Sequence, residues 1–452
     1  MKIQELLTQV AARSSRYLDA IGDRRVFPDS NALKQLSRLG SDLPQEGLPA
    51  EQVLALLDDI GSPATVATTG GRYFGFVNGG TLHAALAANW LAGAWDQNAG
   101  LRIETPIAVH IEQICLDWLR EIFSLPRETG VGFVTGATMA NFTGLLAARH
   151  AVLERIGWDA ERNGLFGAPP ISVIVGDEVH ASVLRALSML GLGRDRLIRV
   201  PTDDQGRMVA GKFPQIVSPA IVCLQAGNVN TGACDPANEI CDIAHGKGAW
   251  VHVDGAFGLW AAAVPQRARL VEGFNKADSW ATDCHKWLNV PYDSGLVFVR
   301  NARDLESALQ FSAAYLATDN QREPMRFTPE MSRRARGIEV WAALRSLGRR
   351  GLAEMIERTC RHAETFAARL EAAGHEILND VVLNQVLVRF GNDERTRAVI
   401  AAVQNDGTCW CGGTFWHGRA AMRISVSSWV TTVDDVEKSV AAILRIAKVA
   451  GL

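Results

Sequence analysis

Between residues 131 and 299 the chain repeats one pattern: a short apolar run, a helical stretch, then another short apolar run. The runs fall at 131–135, 171–175, 196–200, 220–224, 250–253, 279–282 and 295–299. Helical patterns at 142–156, 182–190 and 239–245 lie between several of them. Antiparallel neighbours can be joined by a tight hairpin, but parallel neighbours need a long crossover, usually a helix. Runs that are apolar on both faces need cover on both sides. The expectation is an α/β domain: a mainly parallel seven-stranded sheet with helices on both faces. The seventh run follows the sixth across a short turn at 291–294, so antiparallel pairing is open to it.

The flanks read differently. Residues 1–71 form an N-terminal helical segment, broken at Phe27-Pro28 and Leu43-Pro44. Residues 72–315 make the large domain and 316–331 a candidate mobile active-site loop. Residues 332–452 make a smaller α+β domain, with helices at 337–347, 350–373 and 394–403, strands at 383–390 and near 422–426, and a last helix from about Val433.

Composition removes several classes. Forty-six basic residues against 49 acidic leave a net charge of −3, which gives no footprint for nucleic acid. No run reaches the roughly 18 apolar residues of a membrane span, and residues 1–15 lack the apolar core of a secretory signal. The eight cysteines are scattered, and Cys409-Trp410-Cys411 has no second pair at zinc spacing. We therefore expect no metal and a reducing, cytoplasmic setting. No G-x-G-x-x-G follows the first run, which argues against a dinucleotide-binding dehydrogenase.

Ligands of open α/β sheets bind beyond the carboxyl ends of the strands, so the residues there are the candidates. The first run leads into Gly136-Ala137-Thr138 and a helix start, where backbone N–H groups favour an anion; a plain capped turn fits equally. The second leads to His180, which suits the cover of a flat ring or a structural role. The fourth leads to Gly227-Asn228, a polar clamp. The fifth ends in His252-Val253-Asp254-Gly255-Ala256, where a carboxylate after an apolar run needs a partner or serves as a helix cap. The sixth ends in Asp283-Cys284-His285-Lys286-Trp287, with an amine of the kind that forms Schiff bases or simply faces solvent. An anion cradle, ring cover, acid and amine at the ends of one sheet suit pyridoxal 5′-phosphate (PLP).

The same segments carry a resemblance. His252–Ala256 resembles the H-V-D-A-A segment of the group II PLP-dependent amino-acid decarboxylases, the relatives of aromatic-amino-acid, histidine and glutamate decarboxylases. Asp283–Trp287 resembles their [ND]-x-H-K-W, and residues 135–141 their glycine turn. Arg72-Tyr73-Phe74-Gly75-Phe76 and Thr105-Pro106-Ile107 resemble their substrate-pocket segments. The resemblance implies PLP fold type I, the aspartate-aminotransferase-like architecture. It also implies a homodimer with shared active sites and an L-amino-acid substrate, with neither nucleic acid nor membrane as partner. It implies Lys286 as the cofactor's Schiff-base lysine, Asp254 at the pyridine nitrogen, and His180 on the ring. Ala137 and Thr138 then hold the phosphate, Asn228 lies near the phenolic oxygen, and His285 relays protons, with Ala256 and Asp283 at the cofactor. Tyr73, Phe74, Trp95 and Phe327 are the substrate-pocket candidates, favouring an aromatic or apolar substrate.

Two departures stand out. Asp283 replaces a frequent asparagine, and a carboxylate beside a phosphate repels it unless it faces elsewhere. Many members carry a catalytic tyrosine on the loop after the lysine strand, whereas 318–331 here holds Phe327 and no tyrosine. Decarboxylation is thus the leading expectation. A carbon–carbon lyase or aldolase, an aldehyde-forming decarboxylase-oxidase and a non-catalytic PLP-binding homologue are the competing ones.

Overall fold

The computed structural model describes residues 2–310 and 322–449. Its strands are β1 (Tyr73–Phe74), β2 (Gly130–Val134), β3 (Ser172–Gly176), β4 (Ile198–Val200), β5 (Ala220–Gln225), β6 (Trp250–Asp254), β7 (Ser279–Asp283), β8 (Gly295–Val299), β9 (Glu376–Ile377), β10 (Gln385–Arg389), β11 (Trp410–Trp416) and β12 (Arg419–Ser425).

All seven expected runs are strands of one sheet, in the order β2-β8-β7-β6-β5-β3-β4. Pairing is parallel from β4 through β3, β5 and β6 to β7. The exception is β8, antiparallel to both β7 and β2. The turn before it is too short for a crossover, which is why this strand reverses. Every residue of β2, β6, β7 and β8 is buried, as near-continuous apolar strands require. The edge strand β4 leaves Ile198 and Arg199 exposed.

The helix Ala137–Glu154 leaves β2 and packs along the sheet through Ala140, Gly144, Ala147, Ala148 and Ala151, all buried. Small side chains allow the close approach. A Cβ placed on Gly144 would sit 2.8 Å from His252 Cε1.

A second sheet, β1-β11-β12-β10-β9, belongs to the other compact unit. That unit comprises residues 1–80, 365–378 and 387–452, while 81–364 and 379–386 form the larger one. The division differs from the boundaries expected at 71 and 332. The N-terminal segment is tied to the C-terminal sheet by parallel pairing of Tyr73 with Trp410 and by the Thr431 hydroxyl on the Gly71 carbonyl. Contacts so remote in sequence leave no local pattern. The helix Gly337–Ala372 is broken at Gly348 (φ 60°), which gives the two helical stretches expected there. Of the candidate loop, 316–321 lies outside the described residues. No helix among the described residues is long and apolar enough to cross a membrane.

Candidate active site

The carboxyl ends of β2, β3, β5, β6 and β7 point the same way, and β8 begins among them. Gly295 pairs with Asp283 on one side and Val134 on the other. A Cβ on Gly295 would lie 2.5 Å from Gly136 Cα, so only glycine lets the cradle turn approach β8 this closely.

Asp254, the last residue of β6, is 4% exposed. Its Oδ2 accepts from Asn141 Nδ2 and Ser182 Oγ, both at 3.3 Å, and its Oδ1 accepts from the Ala256 N–H at 3.2 Å. These partners make the buried carboxylate tolerable. Behind Asn141 the network continues. The Asn141 Oδ1 lies 2.9 Å from His252 Nε2, and His252 Nδ1 lies 2.8 Å from Ser279 Oγ, which also accepts from Trp250 Nε1. Since the Asn141 amide nitrogen faces Asp254, its oxygen must accept, so His252 carries its proton on Nε2. Burial pushes the His252 imidazole down to about 3, which keeps it neutral.

This has a pH signature. An unfolded histidine titrates near ~6.5, so between there and about 3 the unfolded chain binds more protons at His252 than the folded one. Its contribution is fully present above ~6.5 and is lost as pH falls, by at most about 1.4 kcal/mol per pH unit. Asp235 opposes it. Burial raises this carboxyl to about 6 while it accepts from the Met208 and Gln225 N–H groups. Its contribution is present at low pH and is lost as pH rises from ~4 through 6. Urea denaturation is expected to show the wild type losing more stability than His252→Gln between about pH 6.5 and 5. Parallel curves for the two proteins would refute the assignment.

Lys286 follows β7, its Nζ 3.0 Å from Asp283 Oδ2. Asp283 is 2% exposed, and its Oδ1 accepts from the Ala137 N–H at 2.6 Å. His285 Nε2 lies 3.5 Å from the same oxygen. The Ser294 N–H donates to His285 Nδ1, so the ring proton sits on Nε2 and faces Asp283. Burial lowers the His285 pKa. A neutral imidazole with one nitrogen occupied by backbone is better suited to holding Asp283 than to relaying protons through Nδ1. Tyr292 stacks on this ring, centroids 4.1 Å apart, and is 56% exposed.

His180 caps the helix Ala181–Met189, its Nδ1 accepting from the Ser182 N–H and lying 2.8 Å from Ser182 Oγ. It is thereby linked to Asp254 through Ser182. Ala256 joins the two carboxylates, since its N–H serves Asp254 and its carbonyl accepts from the Asp283 N–H. Thr138 stands in the first turn of the helix Ala137–Glu154. The Asn228 side chain is spent on its own turn, with Oδ1 accepting from the Asn230 and Thr231 N–H groups and Nδ2 donating to Gln225 Oε1.

The aromatic candidates divide. Tyr73 is buried and stacked on Trp410, and Phe74 packs edge-on against Phe366. Phe327 is buried beneath the Arg322 guanidinium, 3.9 Å from its ring centre. All three rings are buried against partners within their own units. Trp95, at the end of the helix His83–Trp95, is exposed. Sequence reasoning did not single out Ser182, His252 or Tyr292. The first two stand two residues before or after a named residue, and Tyr292 lies in the turn that reverses β8.

The set of an acid, an amine and a long helix's N-terminus fits PLP: a partner for the ring nitrogen, one for the aldehyde and one for the phosphate. Residues 33–390 match the family model described as the pyridoxal-dependent decarboxylase conserved domain. The chain is 28% identical over 376 residues to an aromatic-L-amino-acid decarboxylase of Bacillus atrophaeus, covering 80% of this chain and 76% of the relative. It is 28% identical over 470 residues to an L-2,4-diaminobutyrate decarboxylase of Rhizobium meliloti, covering 98% and 89%. The crystal structure of Oryza sativa TDC with PLP and tryptamine superposes with a TM-score of 0.90 over 99% of this chain and 97% of that chain. At 22% identity this likeness speaks for the fold.

Proposed function

We propose a substrate class and residue roles for this chain, which belongs to the pyridoxal-dependent decarboxylase family and is a PLP-dependent carboxy-lyase acting on an amino acid. The observation that carries the roles is the placing of Asp254 and Lys286 at the carboxyl ends of adjacent parallel strands, β6 and β7. When bound, the cofactor supplies an electron sink for the bond to the departing carbon dioxide. Asp254, fixed by three donors, holds a proton at the pyridine nitrogen. Lys286 would hold the aldehyde as a Schiff base. The start of the helix Ala137–Glu154, with Thr138, takes the phosphate, and His180 covers the ring. Asn228 shapes the turn beside the phenolic oxygen. His285 positions Asp283.

The substrate we favour is an aromatic L-amino acid, supported by the Bacillus relative. We also read the enzyme as a cytoplasmic homodimer. The helix Ile3–Asp19 buries none of its residues and presents Ile3 and Leu7 to solvent, and the helix His83–Trp95 exposes Trp90, Leu91 and Trp95. Apolar surface of this kind is what a second copy covers.

A panel of L-amino acids tests the reading. Purified holoenzyme is expected to release amine and carbon dioxide from an aromatic substrate with kcat/KM at least about tenfold above that for 2,4-diaminobutyrate, a difference of ~1.4 kcal/mol. The reverse order would move the substrate to the diamino acid. Aldehyde with ammonia, or a retro-aldol fragment, would replace the reaction itself, and bound cofactor without turnover would leave only the binding function. Sedimentation of the same sample as a monomer would overturn the dimer.

A further inference from the structure

We propose that Asp283 is a fixed anion of the cofactor site, competing with the phosphate for the helix start and pairing with the Lys286 ammonium. The inference rests on the PLP reading above. A carboxylate that is 2% exposed needs charged or hydrogen-bonded partners. Asp283 has two strong ones: the Ala137 N–H at 2.6 Å and the Lys286 ammonium at 3.0 Å. The His285 Nε2 adds a weaker contact at 3.5 Å.

The carboxylate is held by its own contacts, Oδ1 by the Ala137 N–H and Oδ2 by Lys286, and the backbone around it is anchored as well. Its N–H is bound to the Ala256 carbonyl and its carbonyl to Trp260 Nε1. Gly295 pairs beside it, and a Cβ on Gly136 would meet Asp283 Oδ1 at 3.3 Å. The doubt raised by the sequence therefore resolves one way: the carboxylate faces the cradle.

Both of its main partners are groups the cofactor claims. The Ala137 N–H belongs to the helix start that takes the phosphate, and Lys286 takes the aldehyde. A phosphate held at that helix start would stand beside Asp283 as a second anion, and a Lys286 engaged with the aldehyde would no longer balance the first. Like charges held a few ångströms apart in a dry site repel strongly. Asp283 thus lowers the advantage that a phosphate confers on a pyridoxal ligand. An asparagine would keep the size and the acceptor for Ala137 while removing the charge.

The test compares apoenzyme binding of PLP and of unphosphorylated pyridoxal, by titration calorimetry, in wild type and Asp283→Asn. The ratio of the two affinities, PLP over pyridoxal, is expected to rise about tenfold or more in the variant. A ratio that is unchanged or falls would overturn the inference, because Asp283 would then assist the phosphate or leave it unaffected. Inorganic phosphate gives a second reading. It is expected to raise the melting temperature of Asp283→Asn apoenzyme and to leave wild-type apoenzyme unmoved. Equal stabilisation of the two would also overturn the proposal. Binding of neither aldehyde by either protein would sink the cofactor reading, and this inference with it.

Discussion

Lys286→Ala is expected to abolish turnover, by roughly four orders of magnitude or more, and to remove the visible absorbance that borohydride bleaches in the wild type. The first effect follows from the role proposed for Lys286, the amine that would hold the aldehyde. A second effect follows from the ion pair. Asp283 is buried, and its ammonium partner stands at 3.0 Å. Removing one member of a buried pair leaves the other uncompensated, at a cost of up to about 3–5 kcal/mol. The Ala137 N–H remains to Asp283, so a loss of about 1–3 kcal/mol in apoenzyme stability is the expectation. Adding Asp283→Asn to Lys286→Ala is expected to recover most of that stability and none of the activity. Such non-additivity is how contacting residues betray their coupling. Turnover retained by Lys286→Ala would refute the assignment. Stability that does not respond to Asp283→Asn in that background would refute the ion-pair argument alone.

The large sheet was legible in the sequence because its strands are apolar on both faces and separated by crossovers. The bounds of its seven strands differ from expectation by no more than two residues. The same property made the site legible, since parallel strands deliver their carboxyl-end residues to one edge, and Asp254, Lys286 and the cradle all lie there. What stayed hidden depended on pairing across the chain. β11 contains Gly412 and Gly413, which weaken a strand pattern, and β1 is only two residues long. Tyr73 and Phe74 stand as pocket candidates from the sequence, and aromatic side chains serve both packing and binding. Their burial is set by β11 and by Phe366, partners that no local window contains. Asp283 was legible as an oddity, but which way it faced depended on Ala137 and Lys286 meeting its two oxygens.

The inner network makes the last expectation specific. Asp254→Ala is expected to lower kcat by about two to four orders of magnitude while the borohydride-sensitive absorbance remains. Retention follows because Lys286 and the helix start at Ala137 lie outside the substitution. The rate falls because the sink depends on a proton held at the ring nitrogen. Partial losses are expected farther back. Asn141→Ala leaves Asp254 with Ser182 and the Ala256 N–H, so its kcat should fall less, by roughly one order of magnitude. His252→Gln, one step removed, should fall less again, because Gln can still donate to Asn141 Oδ1. A graded order is what positioning of Asp254 through the chain Ser279–His252–Asn141 predicts. An Asn141→Ala enzyme as impaired as Asp254→Ala would instead place Asn141 in direct contact with the reacting groups. An Asp254→Ala enzyme of near wild-type rate would remove Asp254 from the chemistry.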